Sequence, residues 1–428
     1  MPTRRLLLAA LLAVPFLVAG CKINTINYFP PKYANVRVIN AMADVPAVNV
    51  AQGDTVVWSG VAFEAAGAYN DFENTTNTFT VSLPGATTSL GSASYALAGE
   101  VPYTLVPYGT LSAPQLLMLP DAAITPGSGR FQMRFANVAP GSDGIDVYVT
   151  VPGASIDNLA ANFYNIAYGS ATGYAGYNAG SYQIRITPFN TKTVIYDSGP
   201  LTFADQATTD VLLYSKGSGA LVNALRADVY GQSAVANSTQ ARLKAVNAAV
   251  QTGTVNQLVD GTALVSGLAY AAASTYGATY SGAHTIAFEA TATPGAIIAS
   301  VAGNLGAATD ASVFVTGFAG SQTAVLLADS NLPPLAGNVR VRFVNASPDT
   351  PALDVLVNGT KQVSALASSS ASGYLELTAG TYTLSFADPA TGTPSLTLAG
   401  TVLTAGQVST VYAVGAAGGL SGLVTQDD

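Results

Sequence analysis

Val339-Arg340-Val341-Arg342-Phe343-Val344-Asn345-Ala346 is nearly repeated as Val36-Arg37-Val38-Ile39-Asn40-Ala41, and less closely as Met133-Arg134-Phe135-Ala136-Asn137 and Lys244-Ala245-Val246-Asn247. With Asn40, Asn137, Asn247 and Asn345 as anchors, the copies are spaced 97, 110 and 98 residues apart. The register continues beyond the anchor. Three residues before it stands a basic side chain in every copy: Arg37, Arg134, Lys244 or Arg342. Nine residues after it stands Asn49, Asp146, Asn256 or Asp354, each behind an aliphatic residue. Twenty-nine residues after it stands Tyr69, Tyr276 or Tyr374, while Tyr174 of the second copy comes eight residues later. A fixed period of this length is the mark of one structural unit used four times.

Within each copy the apolar residues alternate. Phe131, Met133 and Phe135 share one face opposite Gln132 and Arg134, and Ile145, Val147, Val149 and Val151 repeat the pattern opposite Asp146, Tyr148 and Thr150. Period two predicts half-buried strands. Such strands, separated by Gly, Pro, Asn and Asp turns in units near 100 residues, predict an all-β chain of four antiparallel immunoglobulin-like β-sandwiches. We place them at residues 33–124, 129–230, 238–332 and 336–428, and linkers this short predict a semi-rigid row.

Composition removes most chemistry. The 428 residues are 49% hydrophobic and 9% charged, too apolar for disorder. One cysteine, Cys21, excludes disulfide frameworks, thiolate zinc sites and iron–sulfur clusters. One histidine, His284, excludes multi-histidine metal sites, so any histidine-based triad must pass through it. His284 lies eight residues beyond Tyr276, where the sister copies carry Tyr182 and Tyr382, and is therefore read as a packing residue. Glu64, Glu73, Glu100, Glu289 and Glu376 are scattered, with no region spare for a deep catalytic cleft, so we expect no enzyme and no cofactor. The net charge of −8 argues against nucleic acid, which requires a basic field.

The N-terminus reads as an address. Arg4-Arg5 precede an uncharged run from Leu6 to Ala19, too short to span a bilayer as a helix. The run ends Leu17-Val18-Ala19-Gly20-Cys21, which resembles a bacterial lipobox. We therefore expect residues 1–20 to be a signal peptide, Cys21 to carry lipid, and residues 21–32 to tether the first sandwich to a membrane. Lys22 rather than aspartate after the cysteine points to the outer membrane or cell surface in the lipoproteins this resembles. A transmembrane β-barrel shares the alternation, but units near 100 residues and the lipobox speak against it.

The fourth copy runs on as Ser347-Pro348-Asp349-Thr350-Pro351-Ala352-Leu353-Asp354-Val355-Leu356-Val357-Asn358-Gly359. With its anchor segment this closely resembles the bacterial domain of unknown function 4397. The second copy matches through Asn137, Pro140, Asp146 and Val147, the first carries Asn49 for the aspartate, and the third lacks the Ser-Pro-Asp segment. The resemblance implies tandem immunoglobulin-like sandwiches in a secreted or surface-attached protein, and brings no catalytic residue with it.

The remaining candidates are binding groups. Tyr164, Tyr168, Tyr174 and Tyr177 offer a carbohydrate-stacking platform on the second copy. Asp349 and Asp354 bring hard oxygens close to Asn345, as Ca²⁺ would require, although Asn and Asp beside proline are common turn chemistry. Arg134 with Asp146, and Arg342 with Asp354, are expected as cross-strand ion pairs on the outer face. The function expected is non-enzymatic binding or adhesion to extracellular polysaccharide or protein, through loops or by strand addition at sheet edges. The alternative is a structural spacer with no specific ligand.

Overall fold

The computed structural model, which describes residues 33–122 and 124–427, turns every copy into two packed sheets without an α-helix. In the second domain one sheet contains Phe163–Ala167, Gly144–Thr150, Gly180–Pro188 and Tyr196–Phe203, in that order and all antiparallel. The other places Ala175–Asn178 beside Arg130–Asn137, followed by Thr208–Tyr214, Asn223–Asp228 and Ser233–Ala236. Here Arg130–Asn137 runs parallel to Thr208–Tyr214, and each sister domain has the corresponding parallel pair. The four tandem all-β sandwiches therefore stand as expected, each with its opening strand in a parallel pairing.

The register residues are structural, and their roles are the same in every copy. Each anchor asparagine is fully buried. Its Nδ2 donates to a carbonyl of the opposite sheet, Val61, Ile166, Leu268 or Leu366, while its Oδ1 accepts the N–H two residues on. It ties the two sheets together and satisfies backbone groups that burial would orphan. Asn49, Asp146, Asn256 and Asp354 each accept the N–H of a left-handed residue at a bulge: Gly60, Asn165, Gly267 or Ala365.

Two sequence expectations are corrected by how the domains pack. The strand Arg130–Asn137 is not half-buried. Phe131, Met133 and Phe135 enter their own core, while Ala136 and Val138 join Ile39, Val106 and Tyr108 of the first domain in an apolar interface. Val246, Ala248 and Phe314 of the third domain meet Val344, Ala346 and Tyr412 of the fourth in the same way. The sandwiches thus form two face-to-face pairs rather than a row of separate units. The junction between the pairs is also fastened: Asn331 donates its N–H to the carbonyl of Gly217, and Asp310 accepts from Ser218 and Arg242.

Arg134 and Arg342 do not reach Asp146 or Asp354, which belong to the other sheet. The basic side chain of every copy lies instead in the pair interface, at most 4% exposed. Arg134 binds Asp121 and Asp210 (2.7 Å to the latter), Arg37 binds Asp210 (3.1 Å), Arg342 binds Asp329 (2.7 Å) and Lys244 binds Asp427. Each cation also covers the register tyrosine of its own copy, 4.7–5.1 Å from the ring centre of Tyr69, Tyr174, Tyr276 or Tyr374. The spacing between basic residue and tyrosine is therefore the spacing of a cation–π contact.

Burial, and then repulsion from Asp210, raise the Asp121 carboxyl to about 7 despite the two arginines. An unfolded carboxylate titrates near about 4, so folding retains a proton between these values. The first pair is expected to lose stability as pH rises from about 4 to about 7 and to stay level above that. Urea midpoints at about pH 5 and about pH 7.5 should differ in the parent and converge in Asp121→Asn; an equal slope in both would exclude Asp121 as the source.

Gln257 is an exception in the core of the third domain. Both its amide atoms are buried without a hydrogen-bond partner, where the sister copies carry Val50, Val147 and Val355. Gln257→Val is expected to stabilise the third domain by about 1–3 kcal/mol, the cost of stranded polar atoms. Hydrogen exchange across residues 255–259 would register the gain, and a loss of protection would contradict it.

Candidate ligand-binding surface

A tight turn becomes a wall in one copy only. Between their second and third strands the third and fourth domains turn through Asp260-Gly261 and Asn358-Gly359, with both residues left-handed, as two-residue hairpins require. The second domain replaces this turn with residues 151–162, the insertion that displaces Tyr174 by eight positions. The insertion is well fastened. Lys192 Nζ donates to the carbonyls of Ile156 (2.7 Å) and Leu159 (2.6 Å) and lies 4.3 Å above the Tyr148 ring, while Arg185 donates to Ala154 O (2.6 Å).

Two hollows flank the adjoining ridge. One, of about 360 Å³, lies between the insertion and Tyr164, Asn190 and Lys192. The other, of about 530 Å³, is formed by residues 139–145, Asn165, Phe189 and the loop 219–222. Asp146 shapes the ridge. Its two carboxylate oxygens accept the N–H groups of Asn165 (2.8 Å) and Asn190 (3.0 Å), both left-handed. Tyr164 crowns the ridge, 65% exposed, edge-on to Phe189 at 4.9 Å. An exposed ring fixed by a second ring between two polar-edged hollows can stack a flat apolar face while neighbouring amides and carboxylates bind its hydroxyls.

The four tyrosines named from the sequence do not share a face. Tyr168 packs against Tyr108 of the first domain, and burial pushes its phenol up to about 12. Tyr174 donates to Asp210 (2.6 Å) beneath Arg134; burial first, and then the charge of Asp210, raise its phenol. Tyr177 lies on Phe131 and Tyr182 at the core edge. Tyr164 alone is presented outward. Phe189, Asn165, Asn190 and Lys192 were not singled out from the sequence, although the eight-residue delay of Tyr174 marked the insertion that gives them their setting.

The remaining candidates are occupied. Asp349 accepts from Ala417 N (2.7 Å) and Ser347 Oγ (3.3 Å). Asp354 accepts from Ala365 N and pairs with Lys361; the Lys361 hydrogen bond, then that N–H, lower its carboxyl below the ordinary value. His284 donates from Nε2 to the carbonyl of Tyr280 (2.9 Å), four residues back, as Tyr182 and Tyr382 do to Asn178 and Thr378. Its Nδ1 meets Asp260 (2.7 Å), and the ring thus replaces a tyrosine in a structural contact. Cys21 lies outside the described residues.

A family model described as a domain of unknown function (DUF4397) matches residues 34–148, 139–257, 241–355 and 341–428. Each of the first three matches runs on into the two strands that open the next copy. No curated protein matches the chain. Among solved structures, similarity to the Bacillus anthracis TIE protein covers 90% of this chain and 69% of that one at 8% identity, with a TM-score of 0.14. Similarity to CBMbc (family CBM26) from Eubacterium rectale Amy13K, solved with maltoheptaose, covers 47% and 95% at 10% identity, also with a TM-score of 0.14.

Proposed function

The chain belongs to the DUF4397 family from residue 34 to residue 428, and from that premise we propose that it is a non-enzymatic, lipid-anchored bacterial envelope protein that binds extracellular polysaccharide through its second domain. The observation that carries this reading is the ridge of Tyr164 and Phe189 between its two hollows. Stacking suits a sugar ring, whose apolar face needs an exposed aromatic and whose hydroxyls need amide and carboxylate partners. The acidic balance of the chain favours a neutral polymer over a polyanion. Anchoring rests on the lipobox and Cys21, and places the protein at the outer membrane or cell surface.

A spacer without a ligand is the second reading. It draws on the paired faces, which spend much of the polar chemistry of the chain on holding domains together.

Purified residues 22–428, incubated with extracted surface polysaccharide of the source cells and with soluble neutral polysaccharides, are expected to be retained saturably. Tyr164→Ala should weaken retention about tenfold, the equivalent of ~1.4 kcal/mol. Absence of saturable retention by the folded parent would leave the spacer reading. Cys21→Ser should move the full chain from the membrane fraction to the soluble one; a variant that still sediments like the parent would remove the anchor.

A further inference from the structure

The second domain departs from its sisters in another place. Among the described residues the sheet of its opening strand, Arg130–Asn137, alone gains an extra strand, Ser233–Ala236, antiparallel to Asn223–Asp228. The turn joining the two strands crosses onto the first domain. Arg37 donates to the carbonyls of Asp228 (2.7 Å) and Ala227 (3.3 Å), and Tyr230 Oη donates to Asn35 Oδ1 (2.7 Å).

Tyr230 sits at the tip with φ +55°, a left-handed conformation that is a genuine outlier for a bulky side chain. Such strain costs on the order of 1–3 kcal/mol and persists only where the surroundings fix it. Its ring is 61% exposed and lies on Tyr69 of the first domain, 4.8 Å between ring centres and 39° between planes. Beside the two rings is a hollow of about 340 Å³, floored by Gly67 and Ala68 and rimmed by the exposed Gln232 and Ser233.

We propose that this seam is a second saccharide subsite, in which Tyr230 stacks one sugar ring of a neutral polysaccharide and Gln232 and Ser233 bind its hydroxyls. The inference rests on the polysaccharide reading above and extends it to a site built by two domains. A neutral ligand is indicated because Arg37, the cation of the hollow, is already committed to Asp210 (3.1 Å) and Thr104 (2.9 Å). Tyr69 cannot swing away to make room, because its hydroxyl is tied to Asp121 (3.1 Å) and its other neighbour is Arg37. Tyr164 and Tyr230 then stand on one body, so a polymer that reaches both gains avidity without further contacts.

The test uses residues 22–428 and the polysaccharide retained by the parent. Tyr230→Ala is expected to lower affinity at least about fivefold, and Tyr230→Phe, which keeps the ring and loses the bond to Asn35, to bind like the parent. Polysaccharide should also slow hydrogen exchange across residues 229–233, which a purely structural tyrosine would not produce. Parental affinity in Tyr230→Ala with a loss in Tyr164→Ala overturns the seam and leaves the ridge. The converse pattern supports the seam and removes the ridge. A folded parent that binds none of the polysaccharides overturns both.

Discussion

The architecture depends on what happens to one buried cation in each copy. Arg37, Arg134, Lys244 and Arg342 point out of their own sandwich, on the face of the opening strand that looks away from the core. Moving such an ion from water into an apolar medium carries an idealised cost of order 20 kcal/mol, recovered only by well-placed counter-charge and hydrogen bonds. The sister domain supplies these through Asp210, Asp121, Asp427 and Asp329 respectively. The face is consequently incomplete in a single copy. It closes when two copies meet, and four copies close it twice.

The two closures use different sequence solutions. In the third and fourth domains each cation takes the aspartate at the end of the partner's last strand, Asp427 after Ser421–Gln426 or Asp329 of Thr323–Asp329. The first domain offers Asp121 at that position, but the second has Val229 there and places Asp210 on the strand facing Arg134 instead. Asp210 therefore serves both arginines of the first pair, and the nearby Asp121, which shares Arg134 with it, is the carboxyl that burial and the charge of Asp210 push up.

This arrangement explains what was legible in the sequence and what was not. The register was readable because each position has a single geometric role. The anchor asparagine links the sheets, the Asx nine residues on holds a bulge, and the tyrosine covers the cation. Alternation assigns a residue to a face but not to a sheet, so in sequence Arg134 matches Asp146, while its partners stand 13 residues before it and 76 after it. Nor does alternation distinguish a face in water from a face against another domain. Tyr168 and Tyr174 look like free rings in sequence and are consumed by the pairing. Tyr164 is legible because it is aromatic; the ridge beneath it depends on two left-handed asparagines meeting one carboxylate, a coincidence of loops with no sequence period.

The pair interface also constrains where recognition can occur. In each domain the sheet of the opening strand has core on its inner face and the paired domain on its outer face, leaving the surfaces of the other sheet, loop ends and domain seams. The second domain changes two of these, lengthening a turn into residues 151–162 and adding the strand Ser233–Ala236, while its core follows the common plan. Both changes end in an exposed tyrosine steadied by a second aromatic ring, Tyr164 by Phe189 and Tyr230 by Tyr69. Rings held in this way lose little freedom when a ligand arrives; at the seam the ring beneath Tyr230 is the one that lies on the buried Arg37, so there the rigidity of the pairing becomes preorganisation at the surface. The ridge is preorganised separately, by the Phe189 ring against Tyr164 and by the two N–H groups that Asp146 accepts.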